Sequence, residues 1–188
     1  MFKPWELLDQ SVVFSDKPWL EVFCERVKLS RGTIMENFYR IIAGDFSMCV
    51  PFTPSGEIVM VRGYKHGLRQ TTLSLPAGFI DGAELPLAAA KRELAEETGY
   101  SSEDWTSLGA FLVDGNKQIA RAHLFVARDV VRTTEPVFAE EEELAVELMQ
   151  QAEVVQKLLS GEVQILPAAA AIALTFLKIS AAIPKQQL

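Results

Sequence analysis

The first 76 residues alternate short apolar or β-branched stretches with turn-forming residues, a pattern that predicts β-strands. The predicted strands cover residues 11–14, 20–28, 36–42, 46–52 and 58–62. Residues 54–57, Pro-Ser-Gly-Glu, lie between two apolar runs and predict a hairpin turn. The N-terminal part of the chain is therefore expected to be built from strands.

The hydrophobic period then changes to that of a helix. Residues 86–98 are almost all helix-forming, Pro86 suits a first helical turn and Gly99 suits the position just beyond a helix end. A second set of strands is predicted at residues 105–114, 120–128 and 147–149. Two final helices are predicted at residues 151–160 and 168–179, separated by Gly161 and Pro167.

This order of elements predicts an α+β protein, an α/β/α sandwich with a mixed central sheet. A chain of 188 residues suits one structural unit overall. We divide it into an N-terminal strand region, 1–45, and a main domain, 46–188. Residues 11–42 hold more apolar side chains than a peripheral hairpin buries alone, so the first region is a candidate dimerisation element. These side chains include Val12, Val13, Phe14, Trp19, Leu20, Val22, Phe23, Phe38 and Tyr39.

Composition narrows the function classes. The net charge of −7 argues against a non-specific nucleic-acid binder or a protein of anionic membrane surfaces. The longest apolar run, 165–177, is shorter than the ~20 residues that span a bilayer. Cys24 and Cys49 lie in strand-like stretches without metal-site spacing, so we expect buried thiols in a reducing cytoplasm. The first residues do not resemble a signal peptide.

Three glutamates of the predicted helix, Glu93, Glu96 and Glu97, stand at i, i+3 and i+4. At 3.6 residues per turn this spacing puts them on one helical face, where like charges repel unless a cation lies among them. A hard divalent cation such as Mg²⁺ prefers oxygen ligands of this kind. Taken alone, three such glutamates are more typical of a solvated helix face.

The surroundings of these glutamates add to the pattern. Leu87, Ala90 and Leu94 form an adjacent apolar stripe that would dock the helix on the sheet. Arg92 lies one turn before Glu96 and can pair with it. Two preceding glycines, at positions 78 and 82, would let the loop before the helix fold back tightly.

The complete pattern is far more specific than its parts. It runs Gly78, five residues, Glu84, seven residues, and then Arg-Glu-Leu-Ala-Glu-Glu-Thr-Gly-Tyr over 92–100. This segment resembles the Nudix box at every fixed position. The flanking segments 61–65, 75–78 and 123–127 look like the branch of ADP-ribose pyrophosphatases and nucleoside-diphosphate-sugar hydrolases.

The resemblance implies a Nudix fold and a hydrolase that uses Mg²⁺, with Mn²⁺ as a substitute. Its metal ligands would be Glu93, Glu96, Glu97 and the carbonyl of Ala77, and its catalytic residues would include Glu93, Glu97 and the orienting Arg92. A metal-activated water would attack one phosphorus of a diphosphate in a small nucleotide, with a nucleotide sugar such as ADP-ribose as the expected substrate. Relatives also pair subunits through the N-terminal region, which implies a homodimer.

Three further candidates keep alternative interpretations. Arg62 and Lys65 would bind substrate phosphate or would be ordinary surface cations. The acidic run 140–143, from which we select Glu141, would supply a catalytic carboxylate or would be a solvated charge cluster. An alternative function is that of a Nudix-fold sensor, which binds a nucleotide without turnover; the intact set of glutamates favours the enzyme.

Overall fold

The computed structural model describes residues 3–137 and 143–182. Its strands along the chain are β1 (Glu6–Asp16), β2 (Leu20–Lys28), β3 (Ile34–Ala43), β4 (Phe46–Pro51), β5 (Ile58–Lys65), β6 (Gln70–Ser74), β7 (Ala77–Phe79), β8 (Tyr100–Ser101), β9 (Asp104–Asp114), β10 (Gln118–Arg128), β11 (Val131–Arg132) and β12 (Leu144–Met149). Its helices are α1 (Pro86–Thr98), α2 (Gln151–Leu159) and α3 (Leu166–Ala182).

The chain divides into two compact units, which we describe separately. One contains the described residues up to Asp45 together with Phe111–Arg121. The other contains Phe46–Ala110 and the described residues from Ala122 onward. The assignment of residues 1–45 to dimerisation and of residues 46–188 to the main domain stays a prediction.

The smaller unit is an antiparallel arrangement of β1, β2 and β3. The beginning of β10 joins β3 in parallel, through Gln118 and Ile119. Arg40 on β3 connects these strands: its Nε donates to Glu25 at 2.7 Å and its Nη1 donates to Gln118 at 2.7 Å. All residues of β1 are exposed in the single chain.

The larger unit contains strands of three sheets, the third of which is the short antiparallel pair of β8 and β11. In the first, β10 runs parallel to β4, and β4 pairs antiparallel with β7. In the second, β5 lies between β12 and β6, and both pairings are antiparallel. The mixed sheet and the α+β class that the sequence predicts are confirmed. No helix among the described residues is long and apolar enough to cross a membrane.

Successive side chains of the central strands point to opposite sheet faces, and they form two apolar cores, one on each face. Side chains of one parity, such as Met48, Ile58 and Leu124, pack with residues of α2 and α3. Side chains of the other parity, such as Cys49, Val59 and Phe125, pack with Ala90 and Leu94 of α1. Both faces are thus covered by helices, which explains why these strands read as continuous apolar runs.

Helix α1 begins and ends where the sequence predicts. Pro86 occupies its first turn, and Gly99 closes it in a left-handed conformation, φ 76°, with its N–H donating to the carbonyl of Ala95. The docking stripe differs from the prediction at one end. Ala90 and Leu94 are buried, but Leu87 is 39% exposed. The buried stripe continues instead toward the C-terminal end of the helix, through Glu97 and Thr98.

Candidate functional site

The three glutamates of α1 differ sharply in exposure. The residue Glu97 is only 4% exposed, whereas the side chain of Glu93 is 13% exposed and that of Glu96 is 48% exposed. A buried carboxylate costs free energy unless it is hydrogen-bonded or paired with a cation. The set of glutamates therefore does not behave like a solvated helix face, because two of its three members are withdrawn from water.

The loop before α1 meets the Glu97 carboxylate through its backbone. The N–H of Ala77 on β7 donates to Oε2 of Glu97 at 3.0 Å. Cys49 lies near this point, and its thiol pKa is raised, first by burial and then by the charges of Glu97 and Glu93. The two carboxylates thus create a negative potential that extends to the edge of the core. Cys49 is fully buried and free, as expected, whereas Cys24 is free but only partly buried.

Gly78 explains how Glu93 comes close to the same loop. A Cβ atom at position 78 would collide with the carboxyl group of Glu93, so any other residue there would displace that group from the backbone. The turn beyond it uses Gly82 at φ 51°. The N–H of Glu84 donates to the carbonyl of Asp81 at 2.8 Å in this turn. The tight loop that the sequence predicts is therefore present, and it ends beside the helix glutamates.

Arg92 lies at the centre of the polar cluster. Its Nη1 donates to Glu93 at 2.5 Å and to Glu96 at 3.0 Å, which is the pairing with Glu96 that the spacing predicts. Its Nε and Nη2 donate to the two oxygens of Glu84 at 3.2 and 3.0 Å. These bonds raise the pKa of Arg92 and lower the pKa of Glu84, in each case first through their mutual hydrogen bond.

The donor set fits a hard divalent cation in chemistry but is not gathered around one. The candidate ligands are carboxylate oxygens on one helix face, and Gly78 leaves a backbone recess at Glu93. Among residues 3–137 and 143–182, however, no three His, Cys, Asp or Glu side chains stand together closely enough to hold a metal ion. Arg92 holds two of the three helix glutamates in this arrangement.

Arg62 is not brought to this cluster. It shares the strand parity of Ile58 and Met60, whose side chains pack toward α2 and α3, on the sheet face opposite α1. Its guanidinium forms a bidentate pair with Glu147, with 2.5 Å from Nε to Oε1 and 3.1 Å from Nη2 to Oε2. The hydrogen bond to Glu147 also raises the pKa of Arg62. The geometry favours a structural ion pair between β5 and β12 over phosphate binding.

The structure gives a different result for Lys65 and for the acidic run 140–143 than for Arg62. Lys65 ends β5 with the parity of Val59, whose side chain packs toward α1, and it forms no ion pair with a described residue. Residues 138–142 lie outside the described part of the chain, and Glu141 with them. Its proposed catalytic role therefore stays a prediction.

Apart from its pairing with Glu96, the contacts of Arg92 were not predicted from the sequence, including those with Glu84 and Glu93. Its Nη2 also donates to the carbonyl of Phe79 at 2.9 Å, and it lies 3.9 Å from the carboxylate of Asp81. Asp81 could have been suspected, because it is an acidic residue in the glycine-flanked loop. The carbonyl of Phe79 carries no sequence signal, since every residue has one.

Comparison with known proteins gives a consistent result. The model of the NUDIX domain family matches residues 46–169 of the chain. The ADP-ribose pyrophosphatase of Bacillus subtilis (strain 168) is 30% identical over 139 residues, covering 73% of this chain and 73% of the relative. The ADP-sugar pyrophosphatase of Mus musculus is 46% identical over 46 residues, covering 24% of this chain and 21% of the relative.

Two further similarities bear on fold and relatives. The methanol dehydrogenase activator of Bacillus methanolicus is 32% identical over 94 residues, or 50% of this chain and 51% of its own. A crystal structure of an ADP compounds hydrolase superposes with a TM-score of 0.83 and 21% identity, covering 96% of this chain and 97% of that one. At this identity the superposition establishes the fold.

Proposed function

The chain belongs to the NUDIX family and is a Nudix-type pyrophosphatase, and we propose that it is a Mg²⁺-dependent hydrolase of nucleoside-diphosphate sugars such as ADP-ribose. The products would be a nucleoside monophosphate and a sugar phosphate. The observation that carries the proposal is the buried carboxylate of Glu97, held at a glycine-containing loop beside Glu93. A charge in that position has a cost in stability that a purely structural helix would avoid.

The side chains of α1 have separate tasks in this proposal. Glu93, Glu96 and Glu97 would hold the cation, together with the carbonyl of Ala77. When bound, Mg²⁺ supplies neutralisation of the phosphate oxygens and acidifies water at the site. Glu97 is oriented by the Ala77 N–H, and Glu93 by its seat against Gly78. Preorganisation of this kind reduces the reorganisation that charge development in the transition state would otherwise require.

The remaining roles are assigned to residues around the cluster. Arg92 orients the carboxylates, and Glu84 anchors Arg92. Lys65 is the cation that we assign to substrate phosphate, since Arg62 is engaged by Glu147. One glutamate of the run 140–143, Glu141 in our assignment, would take the proton from the attacking water. Single Glu→Gln changes along the run test this assignment, because only the catalytic position should lower kcat by ~10²-fold or more.

The substrate class rests on the relatives. The matched proteins of Bacillus subtilis and Mus musculus are named for ADP-ribose and ADP-sugars. Each of these compounds contains a diphosphate linkage. The experiment is to compare kcat/KM for ADP-ribose, other nucleotide sugars and all nucleoside triphosphates at saturating Mg²⁺. We expect a nucleotide sugar to be the best substrate. A triphosphate as the best substrate would contradict the proposal, and binding of nucleotide sugars without products would support a sensor instead.

A further inference from the structure

Every N–H group of the Arg92 guanidinium is used within the described structure. The group has five N–H donors and no acceptor. Nε and one N–H of Nη2 serve the two oxygens of Glu84, and the other N–H of Nη2 serves the carbonyl of Phe79. The two N–H groups of Nη1 serve Glu93 and Glu96. The guanidinium therefore has two edges with different partners.

The hydrogen bonds on the two edges differ in number, geometry and burial. The Glu84 edge is bidentate, its carboxylate is 19% exposed, and that carboxylate also accepts the backbone N–H of Asp81 at 3.4 Å. The Phe79 carbonyl adds a third contact on the same edge. On the Nη1 edge, Glu96 accepts a single bond at 3.0 Å and its side chain is 48% exposed. An exposed single contact contributes less than a bidentate and better-buried one.

Nη1 also stands in competition with any cation that Glu93 and Glu96 bind. Both would be drawn to the same two carboxylates, and two positive charges that share them would repel each other. Nη1 already contacts one oxygen of Glu93 and one oxygen of Glu96. Its positive charge offsets the repulsion between these neighbouring glutamates on α1.

We propose that Arg92 is a charge placeholder, whose Nη1 edge holds Glu93 and Glu96 in the metal-free protein and releases Glu96 when a divalent cation binds. The Nε–Nη2 edge stays on Glu84 and on the Phe79 carbonyl, so the guanidinium remains in place while the half-exposed Glu96 side chain turns away from Nη1. This inference rests on the proposed function, which assigns Glu93, Glu96 and Glu97 to the metal. It adds that Arg92 opposes metal binding while it organises the metal-free site.

The test is calorimetric titration of the full chain with MgCl₂ in the absence of substrate, so that metal affinity is read without turnover. Removing the competing cation in Arg92→Gln should lower the Kd for Mg²⁺ about tenfold. The matched control is Lys91→Gln. It removes the same charge one residue away, where Lys91 pairs with Glu103 at 3.1 Å outside the cluster. The control should bind Mg²⁺ with the affinity of the wild type.

The outcomes separate the inference from the proposed function. A Kd for Arg92→Gln equal to or higher than that of the wild type overturns the placeholder role and leaves the hydrolase intact. A wild-type protein that binds no divalent cation overturns both. If Arg92→Gln does not fold, Arg92→Met replaces it, because methionine also removes the competing charge and keeps an unbranched side chain that favours a helix. Tighter binding by that variant supports the inference, and unchanged or weaker binding overturns it.

Discussion

Glu97 occupies a buried, structural position of α1 although its side chain is charged. It lies on the stripe that α1 buries against the sheets, next to Leu94 and Thr98, yet it carries a carboxylate. The Ala77 N–H compensates part of the cost of burying that charge. In the proposed function this placement would make Glu97 a rigid oxygen ligand, whereas Glu96 on the outer side is half exposed.

Replacement of Glu97 by glutamine should nearly abolish Mg²⁺-dependent turnover while the protein stays folded. Glutamine keeps the shape and helix propensity of glutamate but removes one charge from the cluster. The loss of transition-state stabilisation should lower kcat by ~10³-fold or more. Steady-state kinetics, with circular dichroism as the control for folding, measures this. Activity within tenfold of the wild type would defeat the assignment of Glu97.

Sequence spacing predicts contacts between residues one helical turn apart, whereas contacts between distant segments leave no such signal. The pairing of Arg92 with Glu96 follows from one helical turn and was predicted. The pairing of Arg62 with Glu147 spans 85 positions and depends on β5 and β12 lying side by side. No local pattern encodes that neighbourhood, so the sequence offered phosphate binding or an ordinary surface cation for Arg62 and gave no sign of its ion pair with Glu147.

At the scale of elements, the segment after β11 forms hydrogen bonds with the C-terminal end of α1. The N–H groups of Thr133 and Thr134 donate to the carbonyl of Gly99 at 2.9 and 3.2 Å. The N–H of Val137 donates to the carbonyl of Glu96 at 2.8 Å. These bonds satisfy carbonyls that a helix end leaves unpaired. They also fix the last turn, which carries Glu96 and Glu97.

Replacement of Gly99 by alanine should destabilise the protein far more than the same change at Gly161. Both glycines have positive φ, 76° and 79°, so each substitution carries backbone strain of ~1–2 kcal/mol. A Cβ at Gly99 would also collide with the backbone oxygen of Thr134, whereas nothing lies within 4 Å at Gly161. Urea unfolding measures the two losses. Equal losses would show that the contact with Thr134 does not constrain α1.

The elements themselves were predicted unevenly. Helix α1 and the strand β2 agree with the pattern at both ends, because helix formers with flanking Pro86 and Gly99, and a clear apolar stretch, identify them. The short strands β6, β7, β8 and β11 were missed. Their sequences, such as Gln70–Ser74, are too short or too polar to predict a strand. Pairing with a neighbour that the sequence does not identify makes them strands, as β5 does for β6.

At the scale of the whole molecule, β1 exposes apolar side chains that a single chain leaves uncovered. Val12, Val13 and Phe14 of this strand are each at least half exposed. Exposed apolar side chains that cluster on one surface are typical of a protein–protein interface. We therefore keep the prediction of a homodimer formed partly by the N-terminal strands.

Light scattering at micromolar concentration should give twice the 20.8 kDa mass of one chain. Val13→Glu should shift the protein toward the monomer, because it puts a charge in the apolar surface without disturbing a buried core residue. The control is Leu159→Glu, an exposed leucine at the end of α2, which should leave the dimer intact. A monomeric wild-type mass would refute the prediction.

The most direct test of the account is the balance of products from one nucleotide sugar. The full chain is incubated with ADP-ribose and Mg²⁺, and AMP and ribose phosphate are quantified together. We expect equal amounts of the two fragments, no reaction when EDTA removes the metal, and recovery when Mg²⁺ is restored in excess. Hydrolysis that continues unchanged in EDTA, or products that retain an intact diphosphate linkage, would contradict it.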